Sequence, residues 1–122
     1  MIKIVVTGMG KERIAQLAKD VGAGEVEVSV KTDFEAALAV QSGAASYYIG
    51  SCQSGAGGAL GVATAILGSH DVFRISGTGT KADPEGIAGA IHEGVHAFGL
   101  AHMHIETVVP VLVRAMVKSG AA

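Results

Sequence analysis

Residues 92–102 read HEGVHAFGLAH. His92 and Glu93 are followed by His96, Gly99 and His102, which is the spacing H-E-x-x-H-x-x-G-x-x-H. On a helix, residues four apart share a face, so His92 and His96 would hold one metal ion between them. Glu93 would act as general base on a zinc-bound water, and Gly99 would turn the chain so that His102 completes the site. A zinc metallopeptidase using residues 92–102 is therefore one reading of this chain.

A second group of residues points to different chemistry. Residues 50–58 read GSCQSGAGG and lead into an apolar helical segment. The free N–H groups of a helix start, here around Ser54, Gly55, Ala56, Gly57 and Gly58, make a ready anion site. Ser51, Gln53 and Ser54 add side-chain donors, and Lys11 and Lys81 add positive charge from neighbouring loops. Two further Gly-rich turns, TGMGK (Thr7, Gly8, Gly10, Lys11) and SGTGTK (Ser76, Gly77, Thr78, Lys81), follow other apolar runs. Neither meets the P-loop spacing, and the first lacks the third glycine of a dinucleotide fingerprint. Cys52 sits within the most unusual of these loops, where a helix start would lower its pKa and fit it to act as base or nucleophile. The expected ligand is a small anionic metabolite of the phosphorylated kind, with Cys52 as the candidate catalytic residue and no cofactor or metal.

The elements that must carry these residues alternate strand and helix. IKIVVTG is the first strand, and KERIAQLAKDV is a helix ended by Gly22. EVEVSVK alternates as a strand nearer an edge. TDFEAALAVQSG opens with Thr32 and Glu35 at capping-box spacing. ASYYIG is the third strand, and GALGVATAILG is a helix of small apolar residues expected to be buried on more than one side. DVFRIS is the fourth strand, and DPEGIAGAIHEG is a helix with Asp83 as cap and Pro84 in its first position. VHAFGLA is the fifth strand, placing His96 within it. HIETVVPVLVRAMV is the last helix, with Pro110 tolerable only near its start. This order predicts one α/β domain over residues 1–122: three layers, a mostly parallel sheet of about five strands, helices on both faces. Ligands of such sheets bind outside the carboxyl ends of the strands, so all the Gly-rich loops should face one edge.

The same order opposes the zinc reading. Gly94 sits inside the pentad that would have to be one helix and weakens it by about 1 kcal/mol relative to Ala. The pattern resembles the metzincin metalloproteases, which also place a methionine turn beneath the metal. Here Met103 adjoins His102, too close, and Met116 falls on the last helix. His102 and His104 follow the fifth strand, at the edge of the Gly-rich loops.

Composition narrows the class. Of 122 residues, 49% are apolar and only 4% aromatic, so the core is built from Val, Ile, Leu and Ala. The net charge is −2 with no basic run, which argues against nucleic acid as a partner. One cysteine excludes an internal disulfide. The N-terminus reads as a strand and not a signal peptide, and no apolar run suits a bilayer. The expectation is a cytoplasmic protein without membrane partners. The small-residue third helix and Gly-rich fourth helix suggest a homo-oligomer.

Two resemblances add to this reading. SYYIGSCQSGAGGALGVATAILG, with DFEAALAVQSG before it and VHAFGLAHMHIETVVPVL after it, resembles the uncharacterised bacterial YhfU-like family. That likeness implies a small cytoplasmic protein and supplies no catalytic residues. It also places Phe98, Gly99 and Leu100 in a family frame unrelated to zinc. Locally, CQSGAGGALGVA is similar to the cysteine–glycine loop of type B ribose-5-phosphate isomerases, matching at Cys52, Ser54, Gly55 and Gly57. This second likeness implies an isomerase-like base at Cys52 and loop amides that hold enediolate oxygens. Gln53 replaces a glycine of that loop. The Asp-His pair those enzymes carry after the first strand is absent, Gly8, Met9 and Gly10 standing there instead.

Overall fold

The computed structural model describes residues 1–55, 57–76 and 82–120, the side chain of Ala59 apart. Five strands, β1 (Ile2–Gly8), β2 (Val26–Val30), β3 (Tyr47–Cys52), β4 (Val72–Arg74) and β5 (Ala97–Ala101), alternate with five helices. These are α1 (Lys11–Gly22), α2 (Asp33–Gln41), α3 (Gly57–Leu67), α4 (Pro84–His92) and α5 (Ile105–Ser119). The strands form one sheet in the order β2-β1-β3-β5-β4, and every pairing is parallel. The expected three-layer α/β architecture is therefore the observed one, with β2 at an edge.

Alternation along each strand sorts its side chains to two faces. Ile4, Val6, Tyr47, Ile49, Phe98 and Leu100 pack with residues of α1, α4 and α5. Val5, Tyr48 and Ala97 pack with α2 and α3. The faces obey the right-handed crossover rule: chain moving toward β4 passes over one face, and chain moving back passes over the other. Because β3 feeds α3 on one face while its neighbours β1 and β5 feed α1 and α5 on the other, the carboxyl end of β3 lies between loops that part in opposite directions. Such a divergence opens a crevice.

Local chemistry sets the helix ends. Thr32 and Glu35 close the capping box of α2 in both directions. Asp83 accepts from the Glu85 N–H, and Pro84 begins α4. Gly94, at φ 90°, ends α4 in a Schellman turn: its N–H bonds the Ile91 carbonyl, and the Val95 N–H reaches back to Ala90.

Four local expectations are corrected. β3 runs on through Ser51 and Cys52, because Gly50 lies within its pairing with β1 and β5 and does not end it. Cys52 is thus the last strand residue, not a loop residue. His96 precedes β5 instead of lying in it, as its N–H is bonded to the Asp71 side chain. Pro110 falls in the second turn of α5; the carbonyl it leaves without a helical donor belongs to exposed Glu106. Within one chain α3 buries only Leu60 and Ala63 fully among its described residues, while Gly57, Gly58, Gly61 and Ala65 are exposed.

Candidate functional site at the carboxyl edge of the sheet

The loops after β1, β3 and β5 meet at the carboxyl edge, as a parallel sheet requires. Gly8, at φ 92°, turns the chain out of β1 so closely over β3 that a Cβ there would collide with the Ser51 carbonyl. That carbonyl accepts the Met9 N–H at 2.9 Å. Gly10, at φ 69°, is the N-cap residue of α1 and lends its first turn no side-chain cap. A Cβ on Gly10 would stand 2.7 Å from Ile105 Cδ1. Lys11 opens α1. Arg13 and Glu106 form a two-pronged ion pair, at 2.6 and 2.7 Å, that ties the first turns of α1 and α5 together.

On the α2/α3 face, Cys52 is half-buried and Gly55 donates its N–H to Cys52 Sγ at 3.1 Å. Ser54 Oγ stands 3.8 Å from the sulfur. The first turn of α3 comes down on it: a Cβ on Gly58 would lie 3.6 Å from Cys52 Cβ. An N–H donor favours the thiolate, and so does the positive end of a helix. Gln53 is exposed. Gly55, at φ 82°, is buried with its backbone against Ser76, Leu100 and Ala101, which leaves no space for a Cβ. Its glycine therefore serves packing first. Arg74 holds the same loop through two N–H groups on the Ser54 carbonyl, at 3.1 and 2.6 Å.

Three residues that the sequence did not single out belong to this face. Thr7 Oγ1, itself among the candidates, donates to Asp33 Oδ1 at 2.5 Å, tying the end of β1 to the first turn of α2. Burial pushes the Tyr48 phenol upward, and the nearby Asp33 and Cys52 add to the shift. Tyr48 thus lies near both Asp33 and Cys52, and Arg74 anchors the loop that follows Cys52. A fully buried tyrosine inside a strand and an aspartate in an ordinary helix start carry no sequence signal; only the register brings them together.

On the opposite face, Ser51 is 1% exposed and its hydroxyl has no partner among the described residues. An unpaired buried hydroxyl costs about 1–3 kcal/mol. Ser76 Oγ is buried too, but accepts the Ala101 N–H at 3.3 Å and contacts His104 Nδ1 at 2.9 Å. Ala56, Gly77, Thr78 and Lys81 lie outside the described residues.

The histidine motif does not assemble. Gly94 ends α4 between His92 and His96, so no helix presents them four apart. β5 then separates His96, at the amino edge, from His102, at the carboxyl edge, by roughly 20 Å of extended chain. His96 Nδ1 instead pairs with Asp71 at 2.8 Å. Among the described residues, no group of three or more His, Cys, Asp or Glu side chains is placed to hold a metal.

A concavity of about 760 Å³ lies at the amino edge and includes Tyr47, His92, His96 and Lys118 in its lining. Three helix C-termini border it, those of α2, α4 and α5. Their carbonyl ends oppose a negative ligand, and Lys118 answers that field as a last-turn cation of α5. Size alone therefore does not make it the anion site. The helix N-termini are at the other edge, as a parallel sheet requires.

Among the described residues, no helix is long and apolar enough to cross a membrane. Residues 2–116 match the model of the family described as "Protein of unknown function DUF2620". The "Uncharacterized protein YhfU" of Escherichia coli strain K12 is 42% identical over 113 residues, covering 93% of this chain and 97% of that protein. The protein of the same description from Shigella flexneri matches with the same identity and coverage. No solved structure matches the chain.

Proposed function

We propose, for a chain that belongs to the YhfU-like DUF2620 family of unknown function, that it acts as one domain binding a small anionic metabolite at the carboxyl edge of its sheet. The observation that carries this reading is Cys52. It ends the central strand where the loops diverge, half-exposed, with the Gly55 N–H on its sulfur and the first turn of α3 beside it. A thiol so placed suits proton transfer to and from carbon next to a carbonyl, the isomerase type of chemistry, and the surrounding N–H groups suit a phosphorylated substrate. Asp33 and Tyr48 join Cys52 as the titratable groups of that face. The exposed small residues of α3 support a second copy of the chain as a packing partner.

The test is thermal melting with a panel of sugar phosphates, on wild type and on Gly57→Leu. Gly57 is exposed with nothing closer than Ser54 Oγ at 3.9 Å from its Cβ position, so the bulky side chain obstructs the site without unfolding it. At least one sugar phosphate should raise the wild-type melting temperature and leave the variant's unmoved. If no sugar phosphate moves the wild type, or if all move both proteins equally, the reading fails.

A further inference from the structure

The geometry points to Ser51 and the first turn of α1 as the seat of the ligand's oxyanion, an inference that rests on the proposed anion-binding role of this edge. Three independent features converge there. The first is the Ser51 hydroxyl, 1% exposed and unpartnered among the described residues. Strand alternation puts it on the same face as Tyr47 and Ile49, which pack with α1 and α5, and register puts it beside Gly8. The Met9 N–H bonded to the Ser51 carbonyl fixes the β1–α1 turn directly over it. The hydroxyl thus lies on the face of the sheet that carries the amino end of α1.

The second feature is α1 itself. Its N-cap is Gly10, which has no side chain to occupy the first free N–H groups. Most N-caps spend a Ser, Thr, Asp or Asn on those donors. Leaving them open suits a helix that takes its cap from a ligand. Lys11 adds a positive charge at the same end. The third feature is the narrowness of the approach. Gly8 and Gly10 both lie at positive φ, the Ser51 carbonyl fills the Cβ position of Gly8, and Ile105 Cδ1 lies 2.7 Å from that of Gly10, so this turn admits no side chain at either position. Met9 and Met103 stand 48% and 54% exposed on the loops to either side, adaptable apolar surface for the body of a metabolite.

The ligand group is a phosphate, free or as a phosphate ester. Its oxygens accept from the Ser51 hydroxyl and the α1 N–H groups. Ser51 lies next to Cys52 in sequence but on the other face, so a ligand spanning the end of β3 would place its anionic group on one side and its reacting carbon on the other.

Calorimetric titration of wild type, Ser51→Ala, Lys11→Gln and Gly57→Leu with inorganic phosphate and with ribose 5-phosphate tests this. Ser51→Ala removes an unpaired buried hydroxyl, so it should melt at or above wild type, while its affinity for both probes falls about tenfold, the loss of one hydrogen bond to a charged group. Lys11→Gln should weaken both by about threefold. Gly57→Leu should weaken ribose 5-phosphate more than inorganic phosphate. Unchanged binding in Ser51→Ala, or inorganic phosphate lost in Gly57→Leu alone, moves the seat to α3 and overturns the inference while the broader reading stands. A lowered melting temperature in Ser51→Ala overturns it as well, because the hydroxyl would then have had a partner. Absence of wild-type binding to either probe overturns both.

Discussion

Gly8 and Ser51 are in van der Waals conflict for any residue but glycine: the carbonyl of Ser51 occupies the space a Cβ on Gly8 would need. The β1–α1 turn can therefore lie flat on the end of β3, and the whole carboxyl edge depends on that contact. Gly8→Ala should destabilise the protein by at least ~2 kcal/mol, from positive φ and collision together. Gly24→Ala is the control, since Gly24 has the same sense of φ, 88°, and open space around it. It should cost about 1 kcal/mol. Urea midpoints of the two variants check this; equal losses would deny the close contact.

Gly94 decides the fate of the histidine motif. It is the left-handed residue of the α4 Schellman turn, so Gly94→Ala should cost about 1 kcal/mol. Protein purified without a histidine tag should carry no stoichiometric zinc, and Glu93→Gln should behave as wild type in stability and in any peptide-cleavage assay. Stoichiometric zinc lost on His92→Ala or His96→Ala would show that the motif assembles after all.

Arg74 is a loop clamp. Both of its donors go to the Ser54 carbonyl, so Arg74→Met should lower stability by about 1 kcal/mol, a modest value because the side chain is exposed. Faster hydrogen exchange at the Gly55 amide should accompany it, since that N–H is held against Cys52 Sγ by the same loop. Unchanged exchange at Gly55 would mean the loop holds its shape without the arginine.

Acid should weaken two surface contacts. The Thr32 backbone and side chain lower the Glu35 pKa, and the Arg13 hydrogen bond lowers that of Glu106, each from an ordinary value of 4.5. A carboxyl depressed on folding contributes stability above its unfolded pKa and loses it as pH falls through the folded one. Stability should therefore decline below about pH 4.5, and Arg13→Gln should flatten part of that decline. Urea midpoints from neutral pH down to pH ~3 read this out; parallel curves for the two proteins would count against the Arg13–Glu106 pair.

Much of the architecture was legible because its signals are local. The valine alternation of β2, the Thr32–Glu35 box and the Asp83–Pro84 start each fix one element with a few neighbouring residues. Boundaries failed where tertiary pairing overrode a local cue: Gly50 reads as a stop, yet flanking strands on both sides carry β3 on to Cys52. Strand order was out of reach, and with it the company Cys52 keeps. Tyr48 shares the Cys52 face by alternation within β3, but Asp33 comes to that face only because β1 pairs with β3, and Arg74 reaches the Ser54 carbonyl only because β4 lies outside β5. Gly55 shows the converse, since its Gly-rich context suggested ligand approach while Ser76, Leu100 and Ala101 account for it by packing.

The central claim is that an anionic metabolite occupies the edge at Cys52. The rate of Cys52 alkylation by iodoacetamide, followed by intact mass with and without ribose 5-phosphate, tests it most directly. Cys52 is the one thiol of the chain, so the signal has a single source. Saturating ribose 5-phosphate should slow alkylation by about tenfold, the ligand shielding the sulfur and competing for its N–H donors. The same rate at every ligand concentration would contradict the account.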